Sequence, residues 1–169
     1  MSQDWTNFTK CITVKSNKEK LYHAFATSAG MESWFLRSCH YKKADGSYLE
    51  PESFVNAGDE YSWRWFGYGD DTVENGKIVQ ANGQDLFEFT FNNNGKNDMK
   101  VEVELEQEAG EWRVNLHQYN IPDDDESKSW YFVGCGEGWT FYLANLKSIL
   151  EGGVDLRNKN EAIKNVVNS

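Results

Sequence analysis

No apolar run in these 169 residues is long enough to span a bilayer, and the opening Met1-Ser2-Gln3-Asp4 lacks the basic-then-apolar plan of a signal peptide. The expectation is a soluble, cytoplasmic protein with no stable membrane insertion. Cysteine is scarce. Cys11, Cys39 and Cys135 are odd in number, lie far apart and form no CxxC pair, which argues against a disulfide framework or a zinc site and fits reduced, mostly buried thiols. Positive charge is also in short supply, with 17 Lys and Arg against 27 Asp and Glu and no basic block. A formal net charge of −10 repels phosphate backbones, so nucleic acid is not an expected partner.

Catalytic and cofactor signatures are missing as well. The histidines His23, His40 and His117 have no His or Cys at ligand spacing, and His40 points to the opposite face of its strand from Cys39, so no metal is expected. In the strand that carries it, His117 shares a face with Asn115 and Tyr119 rather than with Val114 and Leu116, which reads as solvated. The acidic runs Asp70-Asp71 and Asp123 to Glu126 lack Ca²⁺-loop spacing. There is no nucleophile elbow, and Gly134, Gly136 and Gly138 approach a helix without the parallel βαβ setting that a phosphate-binding loop needs. A non-enzymatic protein without a cofactor is the expectation.

Aromatic side chains, by contrast, are plentiful, with 7 Trp, 8 Tyr and 10 Phe. Trp130 to Leu150 reads as one amphipathic helix: Trp139, Tyr142, Leu143, Leu146, Ile149 and Leu150 recur at helical spacing, with Thr140, Asn145, Lys147 and Glu151 on the other side. Carboxylates from Asp123 to Glu126 suit its positive end, and Gly152 and Gly153 suit a left-handed stop. A helix from about Glu126 to Glu151 would be about 40 Å long at about 1.5 Å per residue. Glu137 lies between two glycines near its start, where a buried carboxylate would be functional and an exposed one would not.

The rest of the chain reads as strands framing two short helices. Phe8 to Lys15 alternates as an opening strand. Ser16 and Glu19 have capping-box spacing ahead of a helix over Lys18 to Thr27, and Ala29 to Phe35 returns Met31, Trp34 and Phe35 to the core. The period then becomes two, with expected strands over Leu36 to Lys43, Glu60 to Phe66, Thr72 to Gln80, Leu86 to Phe91, Met99 to Glu106 and Glu111 to Tyr119. Met99, Val101, Val103 and Leu105 against Lys100, Glu102, Glu104 and Glu106 are the clearest case of one dry and one wet face. Asn75-Gly76 suggests a bulge, and Asn92 to Gly95 a loop. Strands followed by a helix argue an α+β fold in which a curved antiparallel sheet of about seven strands, with two short helices near the N-terminus, wraps a long C-terminal helix. A single domain is expected over 1–157, with 158–169 as a frayed tail.

Several motifs carry a resemblance. They are Met31-Glu32-Ser33-Trp34-Phe35, Asn56-Ala57-Gly58-Asp59, Glu74-Asn75-Gly76-Lys77-Ile78, and above all Gly138-Trp139-Thr140-Phe141-Tyr142-Leu143 followed by Asn145-Leu146-Lys147 and Glu151-Gly152-Gly153-Val154-Asp155-Leu156-Arg157. In order and spacing they resemble the activator of Hsp90 ATPase homologue 1-like family, within the helix-grip superfamily that includes START domains and the birch-pollen allergen. The resemblance implies a helix-grip fold and two kinds of function, hydrophobic-ligand binding and regulation of an Hsp90-type chaperone. The eukaryotic co-chaperone after which the family is named has an additional N-terminal domain, and nothing of that size precedes Phe8. Chaperone docking is therefore the alternative expectation, and an enzyme of the superfamily comes third.

The candidate site residues are Trp34, Trp63, Trp65, Phe87, Phe89, Trp130, Trp139 and Tyr142, all on faces expected to turn inward. Each alone reads as ordinary core packing. Together, so many indole and phenol donors around one helix suit a partly wet cavity holding a small hydrophobic or amphipathic molecule. Arg64 and Arg157 read as structural charges.

Overall fold

The computed structural model describes residues 3–91, 98–163 and 165–166. The expected loop Asn92 to Gly95 lies outside the described residues. Seven strands form one antiparallel sheet in the order β1-β7-β6-β5-β4-β3-β2: β1 (Phe8–Val14), β2 (Ser38–Lys42), β3 (Glu60–Arg64), β4 (Glu74–Ala81), β5 (Leu86–Thr90), β6 (Lys100–Glu108) and β7 (Glu111–Tyr119). From β2 to β7 the sheet is a simple meander, and β1 closes it beside β7. Helices α1 (Lys18–Ala26) and α2 (Ser28–Trp34) bridge β1 and β2, and the chain ends its regular structure in α3 (Asp125–Ser127), a π-helical segment (Lys128–Gly134) and α4 (Cys135–Leu150). This is the expected α+β helix-grip arrangement.

The period-two readings hold because one face of the sheet is dry. Val101, Val103 and Leu105 on β6 and Val114 and Leu116 on β7 are buried on the same side as Phe87 and Phe89 of β5. His117 lies half-buried on the opposite face, its ring stacked on Tyr119 at 5.2 Å. The irregularity expected at Asn75-Gly76 occurs further along, between Ile78 and Gln80. Gly76 has a different task. It stands opposite Tyr61, whose ring crosses it so closely that a Cβ would lie 2.5 Å from the phenol. Asn17, not Ser16, caps α1 by accepting from the Lys20 N–H. Helices α1 and α2 meet at Gly30, where a Cβ would sit 2.0 Å from the His23 carbonyl oxygen.

The C-terminal helix departs most from expectation. Asp124 caps its start by accepting from the Ser127 N–H, and Gly152, with φ 84°, ends it in the left-handed region. Between these ends the run is not uniformly α. The seven residues Lys128–Gly134 wind as a π-helix, and the Cys135 N–H reaches back to the carbonyls of Phe132 and Trp130. The wider winding shifts the phase, so Trp130, expected inward, is 67 % exposed. Phe132 swings the other way to pack edge-on against Trp5 at 4.9 Å and Phe8 at 5.5 Å. In α4, Trp139, Tyr142, Leu143 and Leu146 are buried as the spacing requires.

Asn145, expected on the outer side of α4, is fully buried. The segment after the helix folds back over it. Its Nδ2 donates to the Trp34 carbonyl at 2.7 Å and to Asp155 Oδ1 at 3.1 Å, and its Oδ1 accepts from the Leu156 N–H at 2.7 Å. Arg157, also buried, donates to the carbonyls of Glu32, Ser33 and Leu36 at 3.0, 2.8 and 3.0 Å. Asp155 holds the guanidinium from its other side at 2.7 Å. The C-terminal carbonyls of α2 thus gain donors from a residue 125 positions further along, and Asn145 and Arg157 latch α4 and the segment beyond it onto α2.

Candidate functional site

Where β3 and β4 diverge from the π-helical segment, the sheet and the helix leave an open cleft of about 570 Å³. Its floor is aromatic and closed. Phe35, just past α2, stacks on Trp139 at 4.9 Å, meets Tyr142 edge-on at 4.8 Å and meets Trp65 edge-on at 5.7 Å. Phe91 closes the floor against Trp139 at 5.6 Å. The sheet-side wall is Trp65, Tyr68, Thr72 and Glu74; the helix-side wall is Glu126, Trp130, Tyr131, Gly134, Cys135 and Gly138.

Four of the eight candidate residues, Trp65, Trp130, Trp139 and Tyr142, come together here. The other four do not reach the cleft. Trp34, Trp63, Phe87 and Phe89 are fully buried in the layer beneath it. Trp63 stacks on Tyr61 at 3.8 Å and meets Phe89 edge-on at 5.0 Å, and Trp34 donates its indole N–H to the Ala24 carbonyl at 2.9 Å. These rings are core. The polar handle of Trp139 is satisfied internally too: its indole N–H donates to Oε1 of the buried Gln118 at 2.9 Å. Gln118 in turn offers its Nε2 to the Tyr131 carbonyl at 3.5 Å and to the Met99 sulfur at 3.3 Å, tying the π-helical segment to β7.

The cleft residues that periodicity missed are Phe35, Tyr68, Thr72, Glu74, Phe91, Glu126, Tyr131 and Cys135. Glu74 was the most legible of them. It lies opposite Trp63 in the β3–β4 register and two residues from Gly76, so it shares the inward face with Tyr61, Trp63 and Ile78. The Tyr61 hydroxyl donates weakly to it at 3.5 Å and more firmly to the Thr90 carbonyl. Glu137 is exposed on the far side of the helix and is no part of the site.

Burial in and under the cleft keeps one thiol and two phenols neutral. Burial, reinforced by the nearby Glu74 carboxylate, pushes the Cys135 thiol up to about 11, so it is protonated at neutral pH and is a poor nucleophile. Burial likewise raises the phenols of Tyr142 and Tyr61. Among the described residues no group of three or more His, Cys, Asp or Glu is placed to hold a metal ion, and no helix is long and apolar enough to cross a membrane.

The sequence model of the family described as activator of Hsp90 ATPase homolog 1-like protein matches residues 15–151. No curated protein matches the chain in sequence. Among solved structures, a Staphylococcus saprophyticus protein is similar with a TM-score of 0.66 at 20% identity, over 89% of this chain and 96% of that one. The Aha1 dimer from Colwellia psychrerythraea has a TM-score of 0.65 at 18% identity, over 87% and 97% of the two chains. An Hsp90 activator from Plasmodium falciparum has a TM-score of 0.60 at 18% identity, over 86% and 96%. At these identities the likeness is one of fold.

Proposed function

The chain belongs to the activator of Hsp90 ATPase homolog 1-like family, and from that premise we propose that it binds a small hydrophobic or amphipathic molecule, without catalysis, in the cleft between its π-helical segment and the β3–β4 end of the sheet. The observation that carries this reading is the cleft itself. Its volume of about 570 Å³ falls within the range of small-molecule sites, which is about 300–1,000 Å³. Trp130 and Tyr68, which line it, are 67 % and 55 % exposed. Covering them with a guest would remove apolar area from water at about 25 cal/mol per Å². The protonated Cys135 and the position of His117 on the opposite face of the sheet support a binding role over a chemical one.

Titration with the neutral dye N-phenyl-1-naphthylamine, followed by dye emission and by tryptophan quenching, tests the reading. Saturable binding that weakens at least five-fold in Trp65→Ala and Trp130→Ala is expected. No saturable response in the unaltered protein would overturn it.

The second reading follows from the family's description and from the Plasmodium neighbour: docking on an Hsp90-type chaperone. It would use the same exposed rings as a protein contact. An ATPase assay with the host's Hsp90 homologue separates the two, and an unchanged rate at large molar excess would set docking aside.

A further inference from the structure

The dry face of the sheet changes character along its width. At the β6–β7 end it is aliphatic, built from Val101, Val103, Leu105, Val114 and Leu116. At the cleft, eight aromatic side chains form the lining, and among the described residues no leucine, isoleucine, valine or methionine joins them. Helix α4 divides the same way: Trp139 and Tyr142 reach the cleft, whereas Leu143 and Leu146, buried on the same helix, do not. Aliphatic side chains would serve a cavity that only had to shelter apolar surface, since the burial term is proportional to area and indifferent to ring geometry. The floor rings are also oriented before any guest arrives. Phe35 lies nearly parallel to Trp139, at 28° between planes, and edge-on to Tyr142 and Trp65 at 86° and 79°. It is held from below by Trp34 and Trp63. A guest therefore meets ring faces and edges that need no further ordering.

From this segregation we propose that the cleft selects a planar, fused-ring aromatic body over an acyl chain or a saturated ring system of the same size. This inference rests on the cleft being a ligand site and names the class of ligand. Aromatic pairs favour offset-stacked or edge-to-face contact, and each such pair is worth about two- to twelve-fold in affinity beyond the area it buries. A flat guest laid on the floor meets the half-buried rings of Trp65 and Phe91, and the exposed rings of Trp130 and Tyr68 close on it from the rim. A saturated guest has neither a π face nor a polarised ring edge to return, so it gains only the burial term. The two mechanisms predict opposite orders. By area alone the saturated body, with at least as much apolar surface, binds as tightly as the aromatic one or more tightly. By ring contacts the aromatic body wins.

Two neutral alcohols with one carbon skeleton test the proposal: 2-naphthylmethanol and its saturated counterpart, trans-decahydro-2-naphthylmethanol, each titrated calorimetrically into the full chain. The naphthyl alcohol is expected to bind at least about three-fold more tightly. Replacing both rim rings, Trp130→Leu with Tyr68→Leu, keeps apolar side chains at exposed positions and removes the rings. That variant should bring the two alcohols within about two-fold of each other, chiefly by weakening the naphthyl one. Tyr48→Leu, at an exposed ring beside His40 and outside the cleft, should leave the preference intact. If the saturated alcohol binds saturably and at least as tightly as the naphthyl one, the aromatic inference fails while the ligand site stands. If the double variant weakens both alcohols by the same factor, or Tyr48→Leu erodes the preference as much, the rim rings do not select and the inference falls. If neither alcohol binds, both readings fail together.

Discussion

Replacing Arg157 by methionine should be among the most damaging single changes at the surface-facing end of this molecule, although the residue lies seven positions beyond the last helix. Its side chain is 2 % exposed and serves three main-chain carbonyls, those of Glu32, Ser33 and Leu36, together with the Asp155 carboxylate. Methionine keeps the length and apolar volume and removes every donor. The carbonyls at the end of α2 then lose their partners, and Asp155 keeps only Lys159, at 2.8 Å, and the weaker amide contacts. Removing one member of a buried charge pair costs about 3–5 kcal/mol. The surviving Lys159 contact argues for the lower part, about 3–4 kcal/mol, out of a total stability of about 5–15 kcal/mol. For a chain of this size that lowers Tm by about 6–16 °C.

Urea unfolding followed by far-UV circular dichroism reads the loss directly. Arg157→Lys should recover less than half of it, because an ammonium cannot reproduce the planar fork that reaches Glu32, Ser33 and Leu36 at once. Asn145→Leu, which strands the Trp34 carbonyl and the Leu156 N–H, should cost about 2–4 kcal/mol alone. Since both residues fasten the same segment through Asp155, the double variant should lose less than the sum by about 1 kcal/mol or more. A loss below about 1 kcal/mol for Arg157→Met, or full additivity with Asn145→Leu, would refute the idea of one latch.

Gly30→Ala should destabilise by about 3 kcal/mol in denaturant unfolding, against the usual helical gain of about 1 kcal/mol for that exchange, because the new methyl meets main-chain atoms of His23 and Ala24. Burial alone would raise Asp155, but hydrogen bonds from Arg157 and Lys159 outweigh it and hold its carboxyl well below the ordinary value of 3.8; the stability it supplies is complete above that value and is lost as pH falls below it, so acid unfolding should begin below about pH 4 and lose that portion of its slope in Asp155→Asn. Ellman's reagent at pH 8 should modify the exposed Cys11 first, then Cys135 and last Cys39, whose thiol burial pushes up to about 12; an occupied cleft should slow Cys135 alone. Trp130→Ala should change stability by no more than about 0.5 kcal/mol, whereas Trp139→Ala should cost about 3–5 kcal/mol, as read by urea unfolding of each variant.

The architecture was legible where one period ruled one environment. Into and along β6 the apolar series from Met99 to Leu105 alternates without interruption because one face is dry over that stretch, so the alternation names the strand and its face, and the Ala109-Gly110 turn names its antiparallel partner. The site was legible only by half. Trp139 and Tyr142 follow the α period and are buried as that period requires, but Trp130 belongs to a segment wound on another period, and no helical phase drawn back from α4 can carry through a π turn. Asn145 misled for a different reason. What buries it is the irregular Asp155 to Arg157 segment, which has no periodicity of its own to announce that it returns across the helix. Glu74 lay within reach of a two-residue count from Gly76 and Ile78, yet a single carboxylate in a broken strand reads as solvent-facing until the neighbouring register is known.

That division of the aromatic residues into floor and rim has a consequence for how the molecule divides its labour. In the floor and the layer beneath it, ring meets ring: Phe35 touches Trp65, Trp139 and Tyr142 in the floor and Trp34 and Trp63 below, and the indole donors of Trp34 and Trp139 end on Ala24 and Gln118. In the proposed reading a guest would rest on a preorganised aromatic surface without displacing a core contact. The rim is built the opposite way, from a π-helical segment in which no side chain is buried and which includes Gly134 next to Gly136 and Gly138. In the proposed reading this segment, held to the core through the Tyr131 carbonyl and the Phe132 ring, is the part of the cleft whose other side chains can adjust to a guest at least cost to the layer beneath. Gly134, of a residue type that weakens helices, sits in the segment that carries no buried side chain, close to the exposed indole of Trp130 that a guest would meet first in the proposed reading.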